Sequence, residues 1–291
     1  MVFVFMEIDE FLTKISLSSA DPTIFTLYEK GKNVTPTGKE VVYNERTLKI
    51  YTRAEDSGVV GTIKYDKPFP KQIFAMEPSN LKNILFESDE VDIDGTYLVA
   101  TGKMDFKWKL QVLGSSKTMD FSYEREDILL TKDVVAKIIR ADRIMDTSAV
   151  KIVSDGNEVV IEISGKIRDN TVKLKIPVVT KPFDAMYEKR FIECIKLAGE
   201  RDVYFNVDGR KKGVPNAVRG AGKLEITDDN AKITYYITEV TRSVNEERKS
   251  VKSEQEKDAD MVVETDGVAD SGTTEETGME TDTIEETIGD I

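Results

Sequence analysis

Residues 131–165 read as a helix, a strand, an Asp-Gly turn, a second strand and a closing glycine. The same order returns in residues 77–102, and in residues 187–236 with a longer turn, while the start of the chain offers a fourth, more irregular copy. The repeat lies in the order of elements and not in residue identity. A supersecondary unit of this kind cannot bury its apolar face alone, so copies have to pack against one another. Four units divide into two similar domains, residues 1–119 and 129–243, joined by a connector at 120–128 and followed by a tail at 244–291. The expected class is α+β, strand-rich with a few short helices.

Alternating or β-branched runs mark strands at 47–52, 58–65, 97–101, 106–113, 150–154, 159–164, 172–178, 203–207, 223–227 and 233–240. Asp94-Gly95, Asp155-Gly156 and Asp229-Asn230 supply residues that tolerate positive φ at hairpins. The apolar start, residues 1–6, reads as a buried first strand. Helices are expected at 9–19, with Phe11, Leu12 and Ile15 on one face, and at 77–88, with Pro78 in the first turn and Leu81, Ile84 and Leu85 as the stripe. A third spans Lys132–Met145 behind the cap Thr131, with Asp133 suited to the helix start. A fourth covers 187–197 and ends near Gly199.

The chain's 291 residues carry a net charge of -13, which is misleading until it is divided. Residues 244–291 hold 16 Asp/Glu and 4 Lys/Arg, which leaves 38 acidic and 37 basic residues for the rest. The acidity belongs to a tail without aromatic residues, a composition that does not support a packed core. It reads as a disordered extension that solubilises the chain, or as an interaction tail that competes for a basic surface. The near-neutral body is free to carry one basic face. No run of about 18 apolar residues exists, so no membrane span is expected. The single cysteine excludes an internal disulfide framework and fits a reducing interior, cytoplasmic or nuclear.

Catalytic chemistry is hard to assemble from these residues. There is no histidine, so the commonest general base and zinc ligand are missing. Cys194 lies at core spacing with Phe191 and Ile195. Gly220-Ala-Gly-Lys223 resembles the end of a phosphate loop, but Ala217 replaces its first glycine and Leu224 its Ser/Thr. Asp92 and Asp94 sit at a hairpin without the further ligands a calcium loop needs. The expectation is a protein that is not an enzyme and needs no cofactor.

Basic residues recur on the helices. Lys137, Arg140 and Arg143 follow at three-residue steps opposite Val134, Val135, Ile138 and Ile139, forming one stripe. The fourth helix turns Lys189, Arg190 and Lys196 outward; Lys14 and Lys82 stand on the first and second. No aromatic residues interleave with these bases, which favours contact with the phosphate backbone over base reading.

At this level the sequence resembles the sliding clamps of the proliferating cell nuclear antigen, archaeal and phage type. The match runs through Leu130-Thr-Lys-Asp-Val-Val-Ala-Lys-Ile-Ile-Arg140 and the hairpin after it, through Gly222-Lys-Leu-Glu-Ile226 and Lys232-Ile-Thr-Tyr-Tyr-Ile237, and through Leu48-Lys-Ile-Tyr-Thr-Arg-Ala-Glu-Asp-Ser-Gly-Val59 and Met76-Glu-Pro-Ser-Asn-Leu-Lys-Asn-Ile-Leu85. It covers roughly residues 1–243. The resemblance implies two domains of two β-α-β-β-β units each, with helices lining a ring and sheets outside. Six domains close such a ring, so two per chain implies a homotrimer. It also implies sequence-independent binding of double-stranded DNA, with Lys137, Arg140 and Lys196 facing it; Lys14, Lys82, Lys189 and Arg190 join on helical geometry alone. Implied partners are DNA polymerase, other replication factors and a clamp loader that supplies the ATP chemistry. They would dock at an apolar pocket for which Phe121, Tyr123, Ile128, Pro215, Tyr236, Ile237 and Val240 are the candidates. The connector is shorter and more acidic than is usual in the family. The loop 208–222, with Arg210, Lys211, Lys212 and Arg219, is longer, and the acidic tail is not a family feature. The composition also admits a β-rich viral structural or interaction protein that forms no ring and binds a partner through that tail.

Overall fold

Thr131 caps the start of the longest helix as expected: its Oγ1 accepts from Val134 N at 3.4 Å, and Asp202 Oδ1 accepts from Lys132 N at 2.7 Å. A computed structural model describes residues 5–18, 22–35, 38–54, 57–110, 127–166, 170–199, 201–207 and 221–240. All lie within one compact unit, Met1–Thr241. The expected connector, apart from Asp127 and Ile128, and the acidic tail fall outside the described residues, as does the loop at 208–220.

The first half contains α1 (Ile8–Lys14), β1 (Thr23–Tyr28), β2 (Gly31–Val34), β3 (Glu40–Tyr43), β4 (Thr47–Ala54) and β5 (Ser57–Lys64). It continues with β6 (Phe74–Met76), α2 (Pro78–Glu87), β7 (Ser88–Asp94), β8 (Tyr97–Gly102) and β9 (Phe106–Lys109). The second half contains β10 (Ile128–Leu130), α3 (Lys132–Met145), β11 (Thr147–Ser154), β12 (Glu158–Gly165) and β13 (Thr171–Pro177). It closes with β14 (Phe183–Glu188), α4 (Arg190–Ala198), β15 (Val203–Val207), β16 (Ala221–Thr227) and β17 (Ala231–Thr238). The class is α+β, as expected.

Every pairing among the described strands is antiparallel. One eight-stranded sheet runs β10-β15-β16-β17-β5-β4-β1-β6, so the β17–β5 ladder joins the two halves of the chain. A four-stranded sheet runs β13-β12-β11-β14 and a three-stranded one β7-β8-β9, with β2-β3 a separate hairpin. One face of the large sheet is dry: Ile128, Phe205, Leu224, Tyr235 and Val59 stand in register across five strands and are all buried. Helices cover that apolar side with Phe11, Leu12 and Ile15 from α1, Leu81 and Ile84 from α2, Val135 and Ile138 from α3, and Phe191, Ile192, Cys194 and Ile195 from α4. These stripes recur at three and four residues, the spacing that keeps them on one helix face.

The repeat is visible in detail. In both α2-β7-β8 and α3-β11-β12 the second strand ends on a glycine, Gly102 or Gly165, opposite the first residue of the strand that follows the helix, Ser88 or Thr147. A register shift follows immediately in each pair. A Cβ on Gly102 would lie 2.6 Å from Asp89 N, and one on Gly165 would lie 2.8 Å from the Met145 carbonyl oxygen. Both hairpins therefore close against their own helix only because a side chain is absent.

Three expectations need correction. Helix α1 stops at Lys14, not at residue 19, because its end finds other partners: Tyr235 Oη donates to the Lys14 carbonyl at 2.9 Å and Ser16 Oγ to the Leu12 carbonyl at 2.8 Å. Helix α4 starts at Arg190, not at 187, because Phe183–Glu188 is taken up by the ladder with β11. Residues 5 and 6, the described part of the expected first strand, lie in no strand. Met6 is buried, and its N–H and carbonyl are held at 2.8 and 2.9 Å by the side-chain amide of Asn230, which takes the place of a ladder.

Candidate nucleic-acid interface

The four helices stand in a row, α2 beside α1, α1 beside α4, and α4 beside α3. Basic side chains close each seam of that row. Lys82 Nζ of α2 donates to Thr13 Oγ1 of α1 at 3.2 Å. Lys14 of α1 donates to the carbonyls of Leu197 and Ala198 at the end of α4, at 3.1 and 2.7 Å. Lys196 of α4 pairs with Asp142 of α3.

Helix α3 carries the basic stripe. Lys137, Arg140 and Arg143 are all exposed, on the side away from Val135, Ile138 and Ala141. Among the described residues no carboxylate pairs with any of the three. Three exposed cations at three-residue steps make a line of phosphate-attracting charge along one helix face.

The other five predicted bases are placed differently. Lys14 is buried, ties α1 to the carbonyl end of α4 and lies 3.5 Å from Glu10; burial, above all, holds its ammonium below the usual lysine range. It is a structural lysine, which corrects the expectation of an outward cation. Arg190 is likewise engaged: its Nη1 donates to Ser18 Oγ at 2.8 Å and to Glu193 Oε2 at 2.6 Å. Lys189 precedes the helix rather than lying on it; it is exposed and sits 3.3 Å from Asp146 Oδ1. Lys196 is exposed, but its partner Asp142 is buried and also accepts from Thr147 N at 3.2 Å. Burial pushes the Asp142 carboxyl up, and the bonds from Lys196 and Thr147 outweigh it and hold it below the ordinary aspartate value. Lys82 is half-buried and bonded to Thr13.

A lysine outside the predicted set belongs to this cluster. Asp146 ends α3 in a left-handed conformation, φ 46°, and its carboxylate lies 2.6 Å from Lys166 as well as near Lys189. Hydrogen bonds from Lys166 and Lys189 hold it below the usual carboxylate range. Lys166 follows the closing glycine of β12, so the position was marked by the repeat although its partner was not.

The predicted partner-binding residues divide. Ile128 and Ile237 are core residues, 2% and 1% exposed, because alternation turns them to the dry face of the large sheet; neither lines a surface pocket. Tyr236 and Val240 are half-buried, and Val240 N donates to the Met186 carbonyl at 2.8 Å. Phe121, Tyr123 and Pro215 lie outside the described residues. On the outer face, Leu129 and Tyr204 are directly opposed and exposed. Tyr236 is opposed to Lys223, and Lys223 to Asn206, on that same face. Asp127 accepts from Asn206 Nδ2 at 2.8 Å and pairs with Lys223 at 2.9 Å. Among the described residues no three His, Cys, Asp or Glu side chains cluster as metal ligands do, and no helix is long and apolar enough to cross a membrane.

Neither a protein-family model nor a curated protein sequence matches the chain. Solved structures do. The proliferating cellular nuclear antigen of Entamoeba histolytica matches with a TM-score of 0.53 at 12% identity, over 81% of this chain and 97% of that one. The Helicobacter pylori beta clamp in complex with carprofen gives 0.56 at 14%, over 83% and 69%. The beta subunit of DNA polymerase III from Thermotoga maritima gives 0.56 at 10%, over 80% and 62%. Identity this low speaks to fold alone, and the fold agrees with the antiparallel sheets, the row of four helices and the repeated helix-hairpin unit: the chain has the fold of the DNA sliding clamps.

Proposed function

We propose that the chain is one protomer of a ring that encircles duplex DNA and tethers a polymerase and other replication factors to it, without catalysing a reaction itself. The observation that carries this reading is the exposed stripe Lys137, Arg140 and Arg143, unpaired among the described residues, on a helix row within a clamp fold. Phosphate attraction of that kind centres a duplex without reading bases, which lets the protein slide. Lys82, bonded to Thr13, and Lys189 and Lys196, each paired with an aspartate, lie beside it.

Two similar domains per chain, divided near residues 120–128, make the ring a homotrimer of six domains. Coverage of 97% of the Entamoeba chain, against 62% and 69% of the bacterial chains, supports a protomer of that size. Two further features favour head-to-tail closure. Strand β13 is an open edge of its sheet, with Val172, Leu174 and Ile176 half-buried. The outermost helices of the row each carry an exposed apolar side chain in the last turn, Phe86 on α2 at 65% and Ile144 on α3 at 76%. An exposed edge strand is an aggregation hazard unless another chain covers it.

Partners would dock a short hydrophobic peptide on the outer sheet face around Tyr236 and Val240, with Leu129 and Tyr204 in place of the buried Ile128 and Ile237. A separate loader would open the ring. The protein would act wherever its DNA resides, in cytoplasm or nucleus. Retention on nicked circular DNA in high salt, with loss on linearisation, tests the whole reading: only topological linkage survives that screening. A native mass of three chains is expected, and a strict monomer that binds linear and circular DNA equally would overturn it.

A further inference from the structure

We propose that the DNA grip of this chain is graded: α3 makes the standing phosphate contacts, and phosphate displaces Asp146 to recruit Lys166 and Lys189 as a reserve. This rests on the function proposed above and adds to it which charges engage, and how. The standing set is Lys137, Arg140 and Arg143, exposed and unpaired among the described residues. The reserve adjoins it, because Asp146 is the residue that ends α3, three positions beyond Arg143.

The two acids at this end of α3 differ in what they release. The Asp146 side chain is 58% exposed, as are those of Lys166 at 61% and Lys189 at 47%. Ion pairs this open are screened by salt and weakly held, so a duplex carrying one charge per about 1.7 Å competes well for the two lysines. Asp142 is the opposite case: its side chain is 6% exposed, and a backbone N–H binds it along with Lys196. Lys196 therefore stays with its acid. The first half of the chain offers little, since Lys14 is buried in the α1–α4 seam and Lys82 is already bonded. The phosphate-attracting charge of a protomer is concentrated on its second half, and a trimer would present three such patches separated by weakly charged stretches.

The test uses the full chain and a short linear duplex, with affinity measured by fluorescence anisotropy across a salt series. Arg140→Gln is expected to flatten the slope of log affinity against log salt by about one, the value for a single phosphate left without its cation. Lys82→Gln is expected to cost less than half as much. Asp146→Asn, which keeps a residue tolerant of the left-handed conformation, should tighten binding about two- to fivefold by removing the competitor for the two lysines. The gain should vanish when Lys166→Gln and Lys189→Gln are added. Glu158→Gln, which frees Lys175 on a sheet and adds the same charge elsewhere, should give no comparable gain. Equal tightening by Glu158→Gln, no tightening by Asp146→Asn, or equal losses from Lys82→Gln and Arg140→Gln would each overturn the inference. Failure of the unmodified chain to stay on nicked circles in high salt would instead overturn the underlying DNA reading, so the two failures are distinct.

Discussion

Asp142 is a carboxylate inside a helix-helix seam, and its charge survives there because Lys196 and the Thr147 N–H face it. Its folded-state value lies below that of an unfolded aspartate, about 3.9, so it binds its proton less readily in the fold. The stabilisation is present in full above that unfolded value and is lost as pH falls through the depressed folded one. Lys196→Gln should cost about 1–2 kcal/mol at neutral pH, less than a fully buried pair because the lysine is partly exposed. The cost should shrink toward zero in acid, where Asp142 is protonated with or without its partner. Urea unfolding at neutral and acidic pH measures this, and a pH-independent cost would exclude the pair as its source. The same residues mark how far the sequence could be read. The Lys137, Arg140 and Arg143 stripe was legible because exposure on one helix follows from the apolar positions of that helix. Lys14 was misread by the same rule: it stands at the border of the apolar face, three residues after Phe11, where α4 closes over it, and one helix's periodicity carries no information about its neighbour.

Among the elements, α3 matched its expected bounds because every signal for it is local: the Thr131 cap, Asp133 in the first turn, Arg143 in the last and a continuous apolar stripe. Helix α4 did not, since Tyr187 and Phe191 have helical spacing but stack across the strand-to-helix junction, rings 5.3 Å apart, with Tyr187 still in the β14 ladder. Strands β6 and β10, three residues each, are too short for alternation to register, and β1, Thr-Ile-Phe-Thr-Leu-Tyr, does not alternate polar and apolar residues although it buries positions 23, 25 and 27. The closing glycines of the repeat were visible, but their reason was not: it is the backbone of the preceding helix-strand junction. Gly102→Ala and Gly165→Ala should each destabilise by about 1–3 kcal/mol, because the crowding atoms are backbone and cannot rotate away. Thermal unfolding of the two variants checks this. If both melt like the parent, the glycines do not shape the hairpins.

At the scale of the molecule, the row of helices has two ends, α2 and α3, and each carries one largely exposed apolar side chain near its last turn. A closed head-to-tail ring would bring α3 of one protomer toward α2 of the next, and Ile144 and Phe86 would then become buried only on assembly. The open edge of β13 belongs to the same event, since Lys173 and Lys175 on it already pair within the chain, with Glu162 and Glu158, and do little to guard its ladder. Ile144→Asp and Phe86→Asp should therefore leave the fold of the single chain near its original stability, because each side chain is mostly exposed and surface changes usually cost within about 0.5 kcal/mol. Each should shift the native mass from three chains toward one. Each should also abolish retention on nicked circles in high salt, and Phe86→Asp, which lies off α3, should spare the salt-sensitive binding of short duplex. A variant that stays trimeric, or a monomeric variant still retained on circles, would show that the ends of the helix row are not where the ring closes.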